Sequence, residues 1–289
     1  MLCFLGNVMI TSGKGEMPRP SISRLTEVID LTDPKNHWLV SKCDLDEPAR
    51  WESVAAFLNN QPLICGGNSP NVLSNVTSWI RPKTIDNFEG PEDYIGQPCR
   101  LIPMCTMRAW ASSIVLNEIS RSESLEESGS TYFEYLLRNN ESEILWITGG
   151  IQHNSDLHSS TEFITLSESQ LYSRIIGPEL PFTIGGHCMI DYDSKTIFII
   201  GGKQGGVEVS QEAVSKKTWI VDPTNGFRIK EGPSLNMARA GHCCGKMVVD
   251  GKIILVAVGG IGTDRRLMDS VELLDPSSLE QGWKIGKML

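Results

Sequence analysis

Residues 231–276 read EGPSLNMARAGHCCGKMVVDGKIILVAVGGIGTDRRLMDSVELLDP. A turn-rich lead ends in Arg239 and Gly241-His242. Two apolar runs follow, 243–249 and 253–258, and the second closes on Gly259-Gly260. A polar loop then reaches a third apolar run, 271–274, stopped by Asp275-Pro276. The runs are short, rich in Val and Ile, and bounded by Gly, Asp and Pro, which predicts strands and not helices. Asp250-Gly251 between the first two runs is a hairpin signal, because both central residues of a tight hairpin turn need positive φ. So small a unit cannot bury both its faces alone, so the chain must repeat it.

The repeats are there. A short apolar run ends in a glycine pair at Gly66-Gly67, Gly149-Gly150, Gly201-Gly202 and Gly259-Gly260. Successive pairs lie 83, 52 and 58 residues apart. Two of these spacings fit a repeat of about 50 residues; the long one is a repeat plus an insertion. A fifth, weaker copy opens the chain, where Val8-Met9-Ile10 runs into Gly13 and Gly15. Third strands are predicted at TEVIDL from Thr26, SWIRP from Ser78, EFITL from Glu162, TWIVDP from Thr218 and VELLDP from Val271. The leads are ARWESVAA from Ala49, MRAWASSIVL from Met107, IGGHCMI from Ile184 and ARAGHCC from Ala238. In this register the lead histidine is replaced by Trp110 in one copy and Glu52 in another.

These landmarks resemble the kelch-repeat family: a double glycine after the second strand, an acidic-apolar third strand, a Trp in the outer strand (Trp38 and Trp283) and an Arg-x-Gly-His lead. The resemblance covers nearly the whole chain. It implies an all-β fold, a kelch-type β-propeller of about five four-stranded blades in one domain over 1–289, incomplete or an open ring. The acidic, Ser-rich insertion 117–143 falls within one blade and has the composition of a surface loop.

Composition narrows the function classes. The formal charge is −9, which disfavours nucleic acid and anionic membrane as general partners. No apolar run reaches the ~20 residues of a membrane helix. The N-terminal apolar segment lacks a basic leading region and breaks at Gly6-Asn7, so it reads as a strand and not as a signal peptide. Eight cysteines are too few for a disulfide scaffold, and Cys188 and Cys243 read as thiols buried in inner strands. That leans towards a reducing, cytoplasmic compartment. His187 and His242 read as hydrogen-bonded structural residues, with no metal or other cofactor expected.

A propeller is a scaffold, so function is expected in its loops. Strand alternation puts the second-to-third-strand loops and the leads on one side. That side gathers Arg50, Arg108 and Arg239 from the leads. From the loops it gathers Asn68, His153, Asn154, Asp156, Lys203, Gln204, Asp264, Arg265 and Arg266. In the kelch family this face commonly grips a peptide or protein, which makes a non-catalytic interaction module the first expectation. The arginines would pair with acidic groups of the partner. Family members also serve as substrate-recognition parts of ubiquitin ligase adaptors, through a helical N-terminal domain that has no counterpart in this sequence. The alternative from another class is a copper-radical oxidase resembling galactose oxidase. That chemistry needs Tyr, His and Cys converging on one copper, and none of the five Tyr or five His stands in a recognisable oxidase motif.

Overall fold

The structure, a computed structural model, describes residues 2–4, 7–14, 22–30, 39–40, 52–58, 61–68, 76–79, 102–117, 143–152, 156–166, 172–193, 195–206 and 209–286. The chain is all-β. Among the described residues the only helical element is the 3-10 turn Pro276–Gln281, and no helix is long and apolar enough to cross a membrane.

Two compact units divide at residue 109. The first holds two four-stranded antiparallel sheets. One is β1 (Leu2–Phe4), β2 (Asn7–Lys14), β3 (Ile22–Asp30) and β4 (Leu39–Val40); the other is β5 (Val54–Leu58), β6 (Gln61–Cys65), β7 (Val76–Trp79) and β8 (Ile102–Pro103). Each runs in chain order, neighbour to neighbour.

The second unit holds three more sheets of this kind and one smaller one. Its first sheet is β9 (Ser112–Asn117), β10 (Glu143–Thr148), β11 (Thr161–Leu166) and β12 (Tyr172–Ile176). Two short strands follow in sequence as β13 (Thr183–Gly185) and β14 (Cys188–Asp193), then β15 (Thr196–Ile200), β16 (Lys203–Gly206), β17 (Val209–Val214), β18 (Thr218–Asp222) and β19 (Arg228–Glu231). Strands β14, β15, β18 and β19 form the middle four-stranded sheet, and β13, β16 and β17 a three-stranded one. The last sheet is β20 (Cys243–Val249), β21 (Lys252–Val258), β22 (Val271–Leu274) and β23 (Lys284–Gly286).

Local signals act as expected at several places. Asp250 and Gly251 have φ of 50° and 76°, and Val249 pairs with Lys252 across them. That double positive φ matches the strand twist, so the hairpin closes in two residues. The insertion leaves the β9–β10 hairpin at its outermost pair, Asn117 with Glu143, and the ladder stays in register from there to Ser112 with Thr148. Residues 118–142 lie outside the described residues. One loop departs from expectation. Lys203–Gly206 and Val209–Val214 are not part of a polar loop but strands β16 and β17, whose backbone groups pair with β13 and with each other.

The core of the second unit lies between successive sheets. Trp146 and Phe163 of the first sheet meet Ile197, Ile199 and Val221 of the middle one, with Leu180 and Ile184 of the lead between them. The next interface repeats this with Phe198 and Ile220 against Leu255, Ala257 and Leu274, and Leu235 in the lead position. Burying one such side chain contributes about 1.5–3 kcal/mol, so these interfaces dominate stability.

A disulfide corrects one expectation. Cys188 on β14 is bonded to Cys244 on β20, with Cα atoms 6.0 Å apart, while Cys243 is exposed and free. Strand alternation explains the choice. Cys244, and not Cys243, shares the face of Lys246, which reaches Asp191 on β14 at 3.0 Å. Such a bridge persists where thiols are oxidised, opposite to the compartment that the cysteine count suggested.

Candidate functional site

In the second unit the leads at Ile184 and Arg239 are held by backbone bonds to two sheets. The second glycine of three of the pairs donates to a carbonyl in the lead that follows: Gly67 to Arg108 at 2.9 Å, Gly150 to Ile184 at 2.7 Å and Gly202 to Arg239 at 2.8 Å. The lead answers with its own N–H groups, Ile184 to His158 at 2.9 Å and Arg239 to Ser215 at 3.3 Å. On its other side the lead pairs with the loop of its own sheet, as Ala240 does with Ile261 in both directions. A side chain on Gly202 would run into the Gly185 carbonyl and His187, so the close approach requires glycine there. Gly260 takes the same place in the last sheet and has no such partner among the described residues.

The leads of the second unit also bond to one another. The N–H of Gly186 donates to Trp110 at 2.8 Å, and that of Gly241 donates to Gly186 at 2.7 Å. Trp110, Gly186 and Gly241 have φ of 57°, 61° and 62°, and Glu52 in the first unit has 58°. This corrects the register read from sequence. Trp110 and Glu52 stand at the glycine position of the lead, and the histidine position holds Ala111 and Ser53. The shared left-handed backbone identifies the position; residue type misled because Trp and Glu are costly there, by roughly 1–2 kcal/mol.

His187 and His242 are buried beside each other. Burial, with His242 close by, lowers the His187 pKa to about 3; burial, with Arg239 close by, lowers that of His242 to about 4. Both rings are therefore neutral at pH 7. His187 Nε2 lies 2.7 Å from Thr148 Oγ1. Thr148 directs its own hydrogen to Met189 Sδ at 3.0 Å, so the His187 Nε2 is the donor of that pair. His187 is thus the hydrogen-bonded structural residue expected, whereas neither ring nitrogen of His242 has a partner among the described residues.

Arg108 and Arg239 of the leads are not offered to a partner. Arg239 is 0% exposed. It donates to the Gly259 carbonyl at 2.9 Å, to Ser270 O and Oγ at 3.1 Å each, and to Glu272 Oε1 at 2.8 Å. Glu272 also accepts from Asn236 N and Nδ2 at 2.6 and 2.9 Å and from Met237 N at 3.1 Å. Arg108 is 1% exposed at the equivalent place. Both are corrected from partner-binding to structural residues, because a buried guanidinium must be paired inside the protein. The signal was present in sequence as an Arg in the lead with a Glu in the third strand. Where the lead has Ile184, the third strand has Trp219, and the two pack in one core.

The remaining loop residues differ in availability. Asp264, Arg265 and Arg266 are exposed on a turn closed by Arg265 N to Gly262 O and Gly262 N to Arg266 O, each at 3.0 Å. The Asp264–Arg266 ion pair, 3.8 Å apart, is well solvated. Asp156 is exposed in the loop after Gly150. Lys203 and Gln204 are half-buried on β16, and Gln204 Nε2 caps the Gly201 carbonyl at 2.9 Å. Asn68 is half-buried beside its glycine pair in the first unit. Arg50, His153 and Asn154 lie outside the described residues. Within the second unit, Asp156, Lys203, Gln204 and residues 264–266 all follow a glycine pair, and so lie on the side where the leads enter. No group of three or more His, Cys, Asp or Glu side chains gathers as a metal set among the described residues. The chain matches no protein-family model, and no curated protein aligns with it as a relative.

Proposed function

We propose that this chain is a kelch-type β-propeller region serving as a non-catalytic interaction module. It takes a peptide or protein partner on the loops that follow the glycine pairs. The observation that carries the reading is the repeated bond from the second glycine of one sheet to the lead of the next, at Gly67, Gly150 and Gly202. Within the second unit, sheets handed to their successors in one way build a frame, and a frame with polar loops on one side suits recognition. With Arg108 and Arg239 removed from the binding set, Asp264, Arg265, Arg266 and Asp156 are its most accessible charged members among the described residues.

The test replaces that turn alone. Arg265→Asn with Arg266→Ala keeps a residue tolerant of φ 62° at the first position. The variant should unfold at the same denaturant concentration as the parent and lose most of the partner captured by affinity purification with quantitative mass spectrometry. Undiminished capture by a folded variant would remove this turn from the binding surface.

A further inference from the structure

At the opposite end of the middle sheet from its glycine pair, cations gather around a hollow. Pairing fixes their face. Phe198 is opposite Ile220, Ile220 opposite Lys230, and Asp222 opposite Arg228, so all five side chains lie on one side of the sheet. Further along, that side is covered by the last sheet. Near the 193–196 and 222–228 turns the cover ends, and a cavity of about 620 Å³ opens between this sheet and the 3-10 turn, with Leu279 on its far wall. The volume suits a small-molecule site, since such sites span about 300–1,000 Å³.

Three cations face one acid in the lining. Lys195, Arg228 and Lys230 line the cavity and are exposed, and none has an ion-pair partner among the described residues. The acid in the lining, Asp222, turns its Oδ1 to Thr224 N and Oγ1 at 2.9 and 2.7 Å. In a chain of formal charge −9 this is a local reversal of sign. Three like charges around a concavity hold a counter-ion there, because low-dielectric walls focus their field. Phe198 and Ile220 beneath them are buried in the core, and the accessible apolar lining is the half-buried Tyr192, Pro276 and Leu279.

We infer that this cavity binds an oxyanion carried on an apolar body: the phosphate or carboxylate lies among Lys195, Arg228 and Lys230, and an aryl or alkyl group lies against Tyr192, Pro276 and Leu279. Arg228 supplies the planar fork that matches an oxyanion, and the lysines supply point charges. The site is separate from the loop surface proposed above, because the two lie at opposite ends of the same strands. The ligand's source is a free small molecule or a modified side chain of a protein segment; the chemistry is the same.

Calorimetric titration with phenyl phosphate, inorganic phosphate and benzyl alcohol tests it. Phenyl phosphate should saturate one site and bind at least about tenfold tighter than either fragment. Arg228→Gln with Lys230→Gln should weaken it by about tenfold or more, and added salt should do likewise. Both residues are exposed, so the variant should remain folded. The turn variant Arg265→Asn/Arg266→Ala should bind phenyl phosphate as the parent does, which keeps this test independent of the first. A phosphotyrosyl peptide that binds well above phenyl phosphate assigns the source to a protein segment, and equal binding assigns it to a small molecule. Absence of saturation, equal affinity for inorganic phosphate, or indifference to the double substitution would overturn the proposal.

Discussion

Arg239 and Glu272 meet at 2.8 Å with both side chains wholly out of water. Around them Asn236 and Met237 lend N–H groups to the same carboxylate. The middle sheet has Pro181, Phe182, Ile184 and Trp219 at the corresponding positions. There Phe182 stacks on Trp219 with ring centroids 4.4 Å apart, and the proline has no N–H left to satisfy. One backbone frame thus accepts two self-consistent fillings, one ionic and one aromatic.

Breaking the ionic filling from one side should be severe. Arg239→Ile leaves Glu272 buried and unpaired, and should cost about 3–5 kcal/mol in urea unfolding. The fourfold change Asn236→Pro, Met237→Phe, Arg239→Ile and Glu272→Trp should recover at least half of that. A fourfold variant as unstable as Arg239→Ile would show that the two fillings are not interchangeable.

The buried histidines set an acid limit. Each has an unfolded pKa near 6.5 and a folded one near 3 or 4, so the unfolded state binds the extra protons. Their contribution to stability is complete above pH 6.5 and falls as pH drops towards the folded values. At pH 5 each should have lost about 2 kcal/mol. Denaturant unfolding at pH 7.5 and pH 5 measures this. His242→Asn, with no ring to titrate, should show a smaller drop than the parent between the two.

The lead glycines 186 and 241 share a left-handed backbone but differ in space. A Cβ on Gly241 finds its nearest neighbour, the Trp110 indole, at 3.6 Å, whereas one on Gly186 would overlap that ring. Gly241→Ala should cost only the backbone term of about 1–2 kcal/mol. Gly186→Ala adds the clash and should cost more, by at least about 1 kcal/mol. Equal losses in the two variants would mean that Trp110 moves aside freely.

The bridge from Cys188 to Cys244 closes a segment of 56 residues. Loop entropy alone puts its contribution at about 4 kcal/mol, with a range reaching nearly to zero. Peptide mapping without reductant should recover the two cysteines in one linked peptide. Cys188→Ser/Cys244→Ser should melt lower than the oxidised parent and at the same temperature with or without dithiothreitol. A parent indifferent to dithiothreitol would show that the bridge adds no stability.

Strands and their order were legible because glycine pairs, Asp-Gly and Asp-Pro are local punctuation, each acting through φ or a missing donor within a few residues. The four glycine pairs and the third strands over 26–30, 162–166, 218–222 and 271–274 stand where the pattern put them, and of the strand expected from Ser78 only Ser78 and Trp79 are described. What sequence hid was long-range. Trp110 and Glu52 mask a glycine position because left-handed backbone is not written in their side chains. Arg239 looked like a solvent-facing cation because its counter-charge lies 33 residues on. The strands Lys203–Gly206 and Val209–Val214 escaped notice because Gly205-Gly206 reads as a loop and the alternation Val207-Glu208-Val209-Ser210 is too short to stand out. Their order comes from the edges they pair with.

The hand-off of each lead to the preceding sheet has a practical meaning for dissecting the molecule. A protease nick or an engineered terminus at residue 231 would sever the middle sheet from the segment that satisfies Gly202 and Ser215, although every strand of that sheet would survive the cut. Modules of this chain are therefore offset from their own strands by about a dozen residues, and shuffling or truncation should respect joints placed just beyond Gly241, not at the ends of the ladders.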